Sequence, residues 1–359
     1  MEELKSKPIK TKKNKIIAAI LISVAIFIVA GVVAAKLLKK SPTNTAINEA
    51  GETVTAVTYE SPLDGLGYAT KEQSTRHPLA VMIENHPDAR PQSGLSGASI
   101  VYEAITEGGI TRFMAIFAPR DVSEIGPIRS ARLFFMDWLK EYDAFFAHAG
   151  GNEDALANIS KYSILDLNHS AKYFYRDNKG KSVASEHTLY SSTEKLYNYA
   201  RNKKFDISTS NFTKMTFKDD TPALELPKNV EIDFSNNISY AVKWSYDSSK
   251  NEYLRFMGGQ EHKDRTTSKQ LTAKNIIIQT VARTLDPTGS YGSQNWIFKT
   301  MGSGDATVLM DGKAIKATWK KASLTDRTKF YDEAGAEIEF NRGSFWYEIV
   351  PPESEINFY

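Results

Sequence analysis

The 359-residue chain contains no cysteine. That excludes disulfides, cysteine nucleophiles, zinc–thiolate sites and a lipid attached through cysteine. It also lacks an H-E-x-x-H pair of histidines, a G-x-S-x-G elbow and a phosphate-binding P-loop. The local signatures of zinc and serine hydrolases and of P-loop nucleotide binding are therefore missing. A large excess of one charge sign is also missing: the net charge is +2, and much of the basic excess lies at the extreme N-terminus. No global nucleic-acid footprint remains.

Residues 16–35, "IIAAILISVAIFIVAGVVAA", carry no charge. A helix needs about 20 such residues to cross a bilayer, more than the apolar region of most cleaved signal peptides contains. Lys5, Lys7, Lys10, Lys12, Lys13 and Lys15 precede the run, and Lys36, Lys39 and Lys40 follow it. The heavier N-terminal charge favours an N-in orientation. We therefore expect a cytoplasmic tail over 1–15 and a single transmembrane anchor over 16–38. The remainder would lie outside the cytoplasmic membrane, with that membrane as its first partner.

Residues 39–60, polar and nearly aperiodic, read as a stalk. Beyond them "PLAVMIEN" gives a short apolar run at 79–83, consistent with a strand buried on both faces. "ASIVYEAITEGG" and "ITRFMAIFAP" continue as strands. "SARLFFMDWLKEY" has helical spacing, "DAFFAHAGG" is a fourth strand, and Asn152 and Ser191 or Ser192 are plausible caps of two later helices. Strands alternating with helices predict an α/β domain over 61–225. From 226 to 359 the texture is β-rich, with hairpin turns at Asp247 to Asn251 and at Asp311-Gly312. This half reads as a separate small barrel or sandwich, with "MGSGDA" at 301–306 as a turn between strands.

Polar groups gather at the predicted strand ends. Glu84, Glu107 and His148 fit the carboxyl edge of an open sheet, where ligands bind. They are candidate catalytic residues, as is His187, whose loop position predicts exposure. Arg112 fits less well, since it starts its strand. Candidate ligand-binding residues are Asn85, Arg90, Glu103, Arg112, Arg129 and Arg132. Arginine forks onto carboxylates and phosphates. If "SARLFF" is already helical, Arg129 and Arg132 share one face near its N-terminus. The competing expectation is internal: Arg112, Arg129 and Arg132 pair with Glu84, Glu103 and Glu107. No metal site is expected, and the sequence specifies no cofactor.

The stretches "RHPLAVMIENHPDARPQSGLSGASIVYEAITEGGITRFMAIF", "IGPIRSAR" and "EYDAFFAHAGG" resemble the YerB-like family, a bacterial domain of unknown function that includes lipoproteins. "TAKNIIIQ" and "GDATVLMDGKAIKATWKK" resemble that family's C-terminal domain. The resemblance covers about 61–355. It implies a cell-envelope protein, mainly of Gram-positive bacteria, and supplies no reaction. Two positions depart from the family pattern. This chain has no cysteine to carry a lipid, and His187-Thr188-Leu189-Tyr190 stands where many members have His-Asn-Leu-Tyr. The short "APRDV" at 118–122, together with "EYDAFFAHAG", is also similar to LytR-CpsA-Psr enzymes, which transfer polyprenyl-pyrophosphate-linked glycans. The leading expectation is thus an envelope protein binding an anionic wall component, such as a wall glycan, or a wall-enzyme partner. The alternatives are a glycan or phosphoryl transferase acting on a lipid-linked wall precursor, and a ligand-free scaffold.

Overall fold

A computed structural model describes residues 44–47, 53–56, 58–208, 212–223, 228–286 and 295–359. The expected tail and anchor, 1–38, lie outside the described residues. No described helix is long and apolar enough to cross a membrane. The chain forms two compact units, Met1–Thr58 and Tyr59–Tyr359. In the first, β1 (Asn44–Ile47) and β2 (Thr53–Ala56) pair antiparallel, within the expected stalk.

The second unit begins its sheet with β3 (Leu79–Glu84), β4 (Ile100–Ile105) and β5 (Thr111–Phe117). All six residues of β3 are buried. Ala80 and Met82 face one apolar core, and Leu79, Val81 and Ile83 face a second. This two-sided burial is what the continuous apolar run encodes. Between β4 and β5, Gly108 and Gly109 adopt φ of 66° and 74°. Glycine takes this left-handed backbone without steric cost, so the chain reverses tightly there. Next come α1 (Leu133–Leu139), β6 (Phe145–His148), α2 (Glu153–Lys161), β7 (Leu165–Asn168) and α3 (Thr193–Asn202). Asn152 caps α2 and Ser192 caps α3 through side-chain oxygens that accept backbone N–H groups.

The later strands are β8 (Val230–Asp233), β9 (Ala241–Asp247), β10 (Glu252–Met257), β11 (Asn275–Thr280), β12 (Gly302–Met310), β13 (Lys313–Lys321), β14 (Lys329–Asp332), β15 (Phe345–Val350) and β16 (Glu355–Phe358). They divide between two sheets. Among the described residues one ten-stranded sheet runs β14–β13–β12–β11–β15–β4–β5–β3–β6–β7. This sheet joins strands from both sides of the expected boundary at 225, because β15 pairs in parallel with both β11 and β4. The remaining strands, β16–β8–β9–β10 with two short additions, form a second sheet. "MGSGDA" is not a turn, since β12 begins at Gly302. Gly304 lies against the Trp319 ring, where a side chain would collide at 2.6 Å.

The two sheets meet at a buried ion cluster. Glu103 of β4 and Glu348 of β15 are register partners on adjacent strands. Arg255 of β10 reaches both carboxylates: Nη2 pairs with Glu103, and Nη1 lies 3.6 Å from Glu348 Oε1. All three side chains are 0% exposed. The Arg255 guanidinium sits 4.3 Å from the centre of the Trp346 ring, and Trp244 donates its indole N–H to Glu348 at 2.7 Å. Burial pushes the Glu348 carboxyl well above its ordinary value against the pull of Arg255, and Glu103 adds to the rise. Removing one member of such a cluster strands a buried charge. We predict that Arg255→Met lowers unfolding free energy by about 3–5 kcal/mol in urea titrations. The triple substitution Glu103→Leu/Arg255→Met/Glu348→Leu should cost less than that single change.

Candidate functional site

Strands β3, β4, β6, β7, β11 and β15 all run in one direction. Their carboxyl ends therefore share one edge of the sheet. Glu84 ends β3, His148 ends β6, and Glu107 lies in the turn after β4. Strand β5 is antiparallel to β3 and β4, so its start belongs to the same edge. Arg112 is the register partner of Glu84 and of Ala104. The position that fitted poorly in the sequence is thus at the edge because the strand direction reverses.

Three arginines gather there. Arg112 Nη2 lies 3.1 Å from Glu107 Oε1, and Nη1 donates to the Ser130 carbonyl at 2.9 Å. Arg132 Nε donates to Glu107 Oε2 at 3.0 Å, and its Nη2 also engages Oε1 of that carboxylate. Arg129 Nε lies 3.2 Å from Glu84 Oε2, while Nη2 donates to Glu186 Oε1 at 2.9 Å. Internal pairing is therefore present, but its partners differ from expectation: Glu107 faces two guanidiniums, Glu186 joins Arg129, and Glu103 takes no part. Although burial would raise it, Arg112 and Arg132 hold the Glu107 carboxyl down at about 2. Burial, aided by Arg132, lowers Arg112 to about 10.

The arginines do not share a helix face. Arg132 caps α1 in an extended conformation, φ −133° and ψ 143°, and Arg129 precedes it in extended chain that bonds to Met82. Pairing of Ala131 with Gly151 keeps this segment extended until Leu133.

The other candidates divide. Glu103 pairs with Arg255 rather than with the arginine group. Asn85 donates to Thr111 Oγ1 at 2.7 Å and to Glu103 Oε1 at 3.3 Å. Arg90 donates to Asn85 Oδ1 at 3.1 Å and to the Ser239 carbonyl at 2.7 Å. Gln92 joins them, donating to the Glu84 carbonyl at 3.0 Å, and its Oε1 lies 2.8 Å from His262 Nε2. Asn85, Arg90 and Glu103 thus belong to an interior network that leads back to the buried ion cluster. His148 is fully buried, with Nε2 2.9 Å from Asp166 Oδ1 and Nδ1 2.7 Å from the Gly150 carbonyl. Neither Glu84 nor Glu107 is among those partners. His187 is not exposed: its side chain is 7% accessible, and Nδ1 lies 3.0 Å from Glu84 Oε2. The short turn Ser185–His187 folds it inward, which a loop assignment could not reveal.

A cavity of about 80 Å³ opens beside Glu107 and Arg132, lined also by Asn152, Asp154, Asp286 and Trp296. Its carboxyl groups disfavour an anion on that side. Burial raises the Asp154 carboxyl, and Asp286 adds to the rise. The Arg129 side has instead the half-exposed Glu186 as its outermost acid.

The charge on Glu107 has a consequence for stability. Its ordinary value of 4.5 falls to about 2 on folding. The contribution is therefore fully present above about pH 4.5 and is lost as pH falls through about 2. We predict that Glu107→Gln is less stable than wild type at neutral pH. The gap should narrow as pH is lowered across that window, read by urea unfolding at each pH.

Two family models match the chain: the N-terminal domain of a protein of unknown function (DUF3048) at 63–206, and the corresponding C-terminal domain at 230–347. The chain is 30% identical over 303 residues to "Putative lipoprotein YerB" of Bacillus subtilis, covering 83% of this chain and 88% of that protein. The crystal structure of the Bacillus subtilis YerB protein superposes with a TM-score of 0.73 at 29% identity, covering 83% of this chain and 99% of that one. The chain therefore belongs to the DUF3048 family, and it carries both domains of that family in order.

Proposed function

We propose that this is a membrane-anchored protein on the outer face of the cytoplasmic membrane that binds a phosphate-bearing wall component at the carboxyl edge of its sheet. The anchor is the uncharged run at 16–35, and the lipoprotein name of its Bacillus subtilis relative agrees with an envelope location. The observation that carries the binding reading is the sharing of Glu107 by Arg112 and Arg132, with Arg129 paired to Glu84, the register partner of Arg112. Three guanidiniums there face two well-held carboxylates, Glu84 and Glu107. The third acid, Glu186, is half-exposed on a turn, so an incoming phosphate can replace it on the Arg129 fork.

Turnover is less well supported. A general base works best with a value near the operating pH, and Glu107 is held at about 2. Glu84 Oε2 is already engaged by both Arg129 and His187. Binding therefore accounts for this group of residues better than glycan or phosphoryl transfer does.

The test is binding of the full-length chain to purified phosphate-bearing wall polymer and to lipid-linked wall precursors. Arg129→Ala/Arg132→Ala is compared with wild type, and melting temperature is recorded for both. Charge-assisted hydrogen bonds contribute about 1.5–3 kcal/mol each, so a loss of roughly tenfold or more is expected. Equal binding by a folded double variant rejects the arginine site.

A further inference from the structure

Beside the arginine group stands a second constellation that the anion reading does not use. His86 and Asp88 come from one short turn, Pro87–Ala89, directly after β3. His187 comes from the turn before α3, about a hundred residues later in the chain. The ligand-capable atoms of these three side chains lie within 4.8 Å of one another. The imidazole rings of His86 and His187 stack at 4.8 Å between centroids, with 11° between their planes.

Each donor is already prepared. The Nδ1 of His187 is turned toward Glu84 Oε2 at 3.0 Å, and Glu84 is 5% exposed and braced by Arg129 at 3.2 Å. A carboxylate on one ring nitrogen fixes the tautomer and leaves the other nitrogen as a lone-pair donor. Here that nitrogen is Nε2. His86 Nδ1 accepts the Asp88 backbone N–H at 3.3 Å, so it carries a lone pair, and it lies 3.6 Å from Asp88 Oδ2. Lys181 Nζ holds the carbonyls of Asp88 and Arg90, which ties the turn down. Tetrahedral coordination with bonds of about 2.0–2.1 Å separates ligand atoms by about 3.3 Å. The His86–Asp88 pair is close to that spacing. Joint coordination requires the half-exposed His86 ring to turn out of its stack and its Nδ1 to give up the Asp88 N–H.

We propose that His86, Asp88 and His187 form a binding site for a divalent first-row transition metal such as Zn²⁺. Glu84 acts as the positioning residue behind His187. Two imidazoles and one carboxylate suit such an ion rather than a hard cation, which prefers oxygen ligands throughout. Three protein ligands leave a fourth position open to water or to an oxygen of a bound anion. The inference is independent of the anion reading, because none of its ligands is an arginine and its probe is a metal alone.

The experiment titrates Co²⁺ into the metal-free full-length chain, following visible d–d absorption, and then displaces it with Zn²⁺. One tight site is expected in the wild type. His86→Ala and His187→Ala should each weaken Co²⁺ binding by tenfold or more. Glu84→Gln should weaken it by about 10–100-fold, as loss of an outer-shell carboxylate does. Melting of each metal-free variant separates loss of the site from loss of the fold. His86 is half-exposed, so its variant remains informative even if His187→Ala unfolds. No spectral change in the wild type, or unchanged affinity in folded His86→Ala, overturns the proposal. Binding of Mg²⁺ with no binding of Zn²⁺ overturns it as well.

Discussion

Two glutamates placed side by side in the middle of a sheet require a cation, and here it comes from the other sheet. Glu103 and Glu348 face each other across the β4–β15 pairing, fully buried. Two like charges cannot both persist in that setting without compensation. Arg255 supplies it from β10, with Trp244 and Trp346 enclosing its guanidinium. The cluster fixes how the two sheets pack, and it makes residues near 100, 255 and 348 mutually dependent. A division of the chain near 225 by texture alone misses this dependence.

The same cluster leads to the sheet edge. Glu103 Oε1 is bonded by Asn85 and Thr111. Asn85 Oδ1 receives Arg90 and Gln92, and Gln92 holds the Glu84 carbonyl. The side chain of Glu84 then orients Arg129 on one side and His187 on the other. This run of hydrogen bonds ties the edge to the sheet interior, and a site held on a sheet is positioned better than one on a loop. Glu84 is thus the hinge between structure and site: its backbone belongs to the interior and its carboxylate to the edge.

Local features were legible in the sequence because they depend on neighbours in the chain. The two-sided burial of 79–84, the caps at Asn152 and Ser192, and the hairpins at Asp247 to Asn251 and Asp311-Gly312 all follow from spacing or backbone chemistry. The arginine group was also legible as a concentration of charge, and so were the glutamates beside it. What was not legible was which glutamate serves which arginine. Glu103 and Glu107 are four residues apart, yet one faces the inter-sheet cluster and the other the edge. The difference lies in strand register and in Arg255, 152 residues away. The direction of β5 was equally hidden, and with it the reason that Arg112 stands at the carboxyl edge.

His187 illustrates the remaining gap. Its loop contains polar neighbours, so exposure was the natural expectation, and nothing in "SEHTLY" names Glu84 as a partner 103 residues earlier. Burial changes its chemical meaning. An exposed histidine is a solvated ring, whereas one whose Nδ1 faces a buried carboxylate is held in one orientation. His86 lies at that edge because "ENHPD" turns immediately after the buried strand. Its proline starts the short turn that sets His86 and Asp88 on the same side. The arginine group and the His86, Asp88 and His187 group therefore adjoin through Glu84, which pairs with both Arg129 and His187.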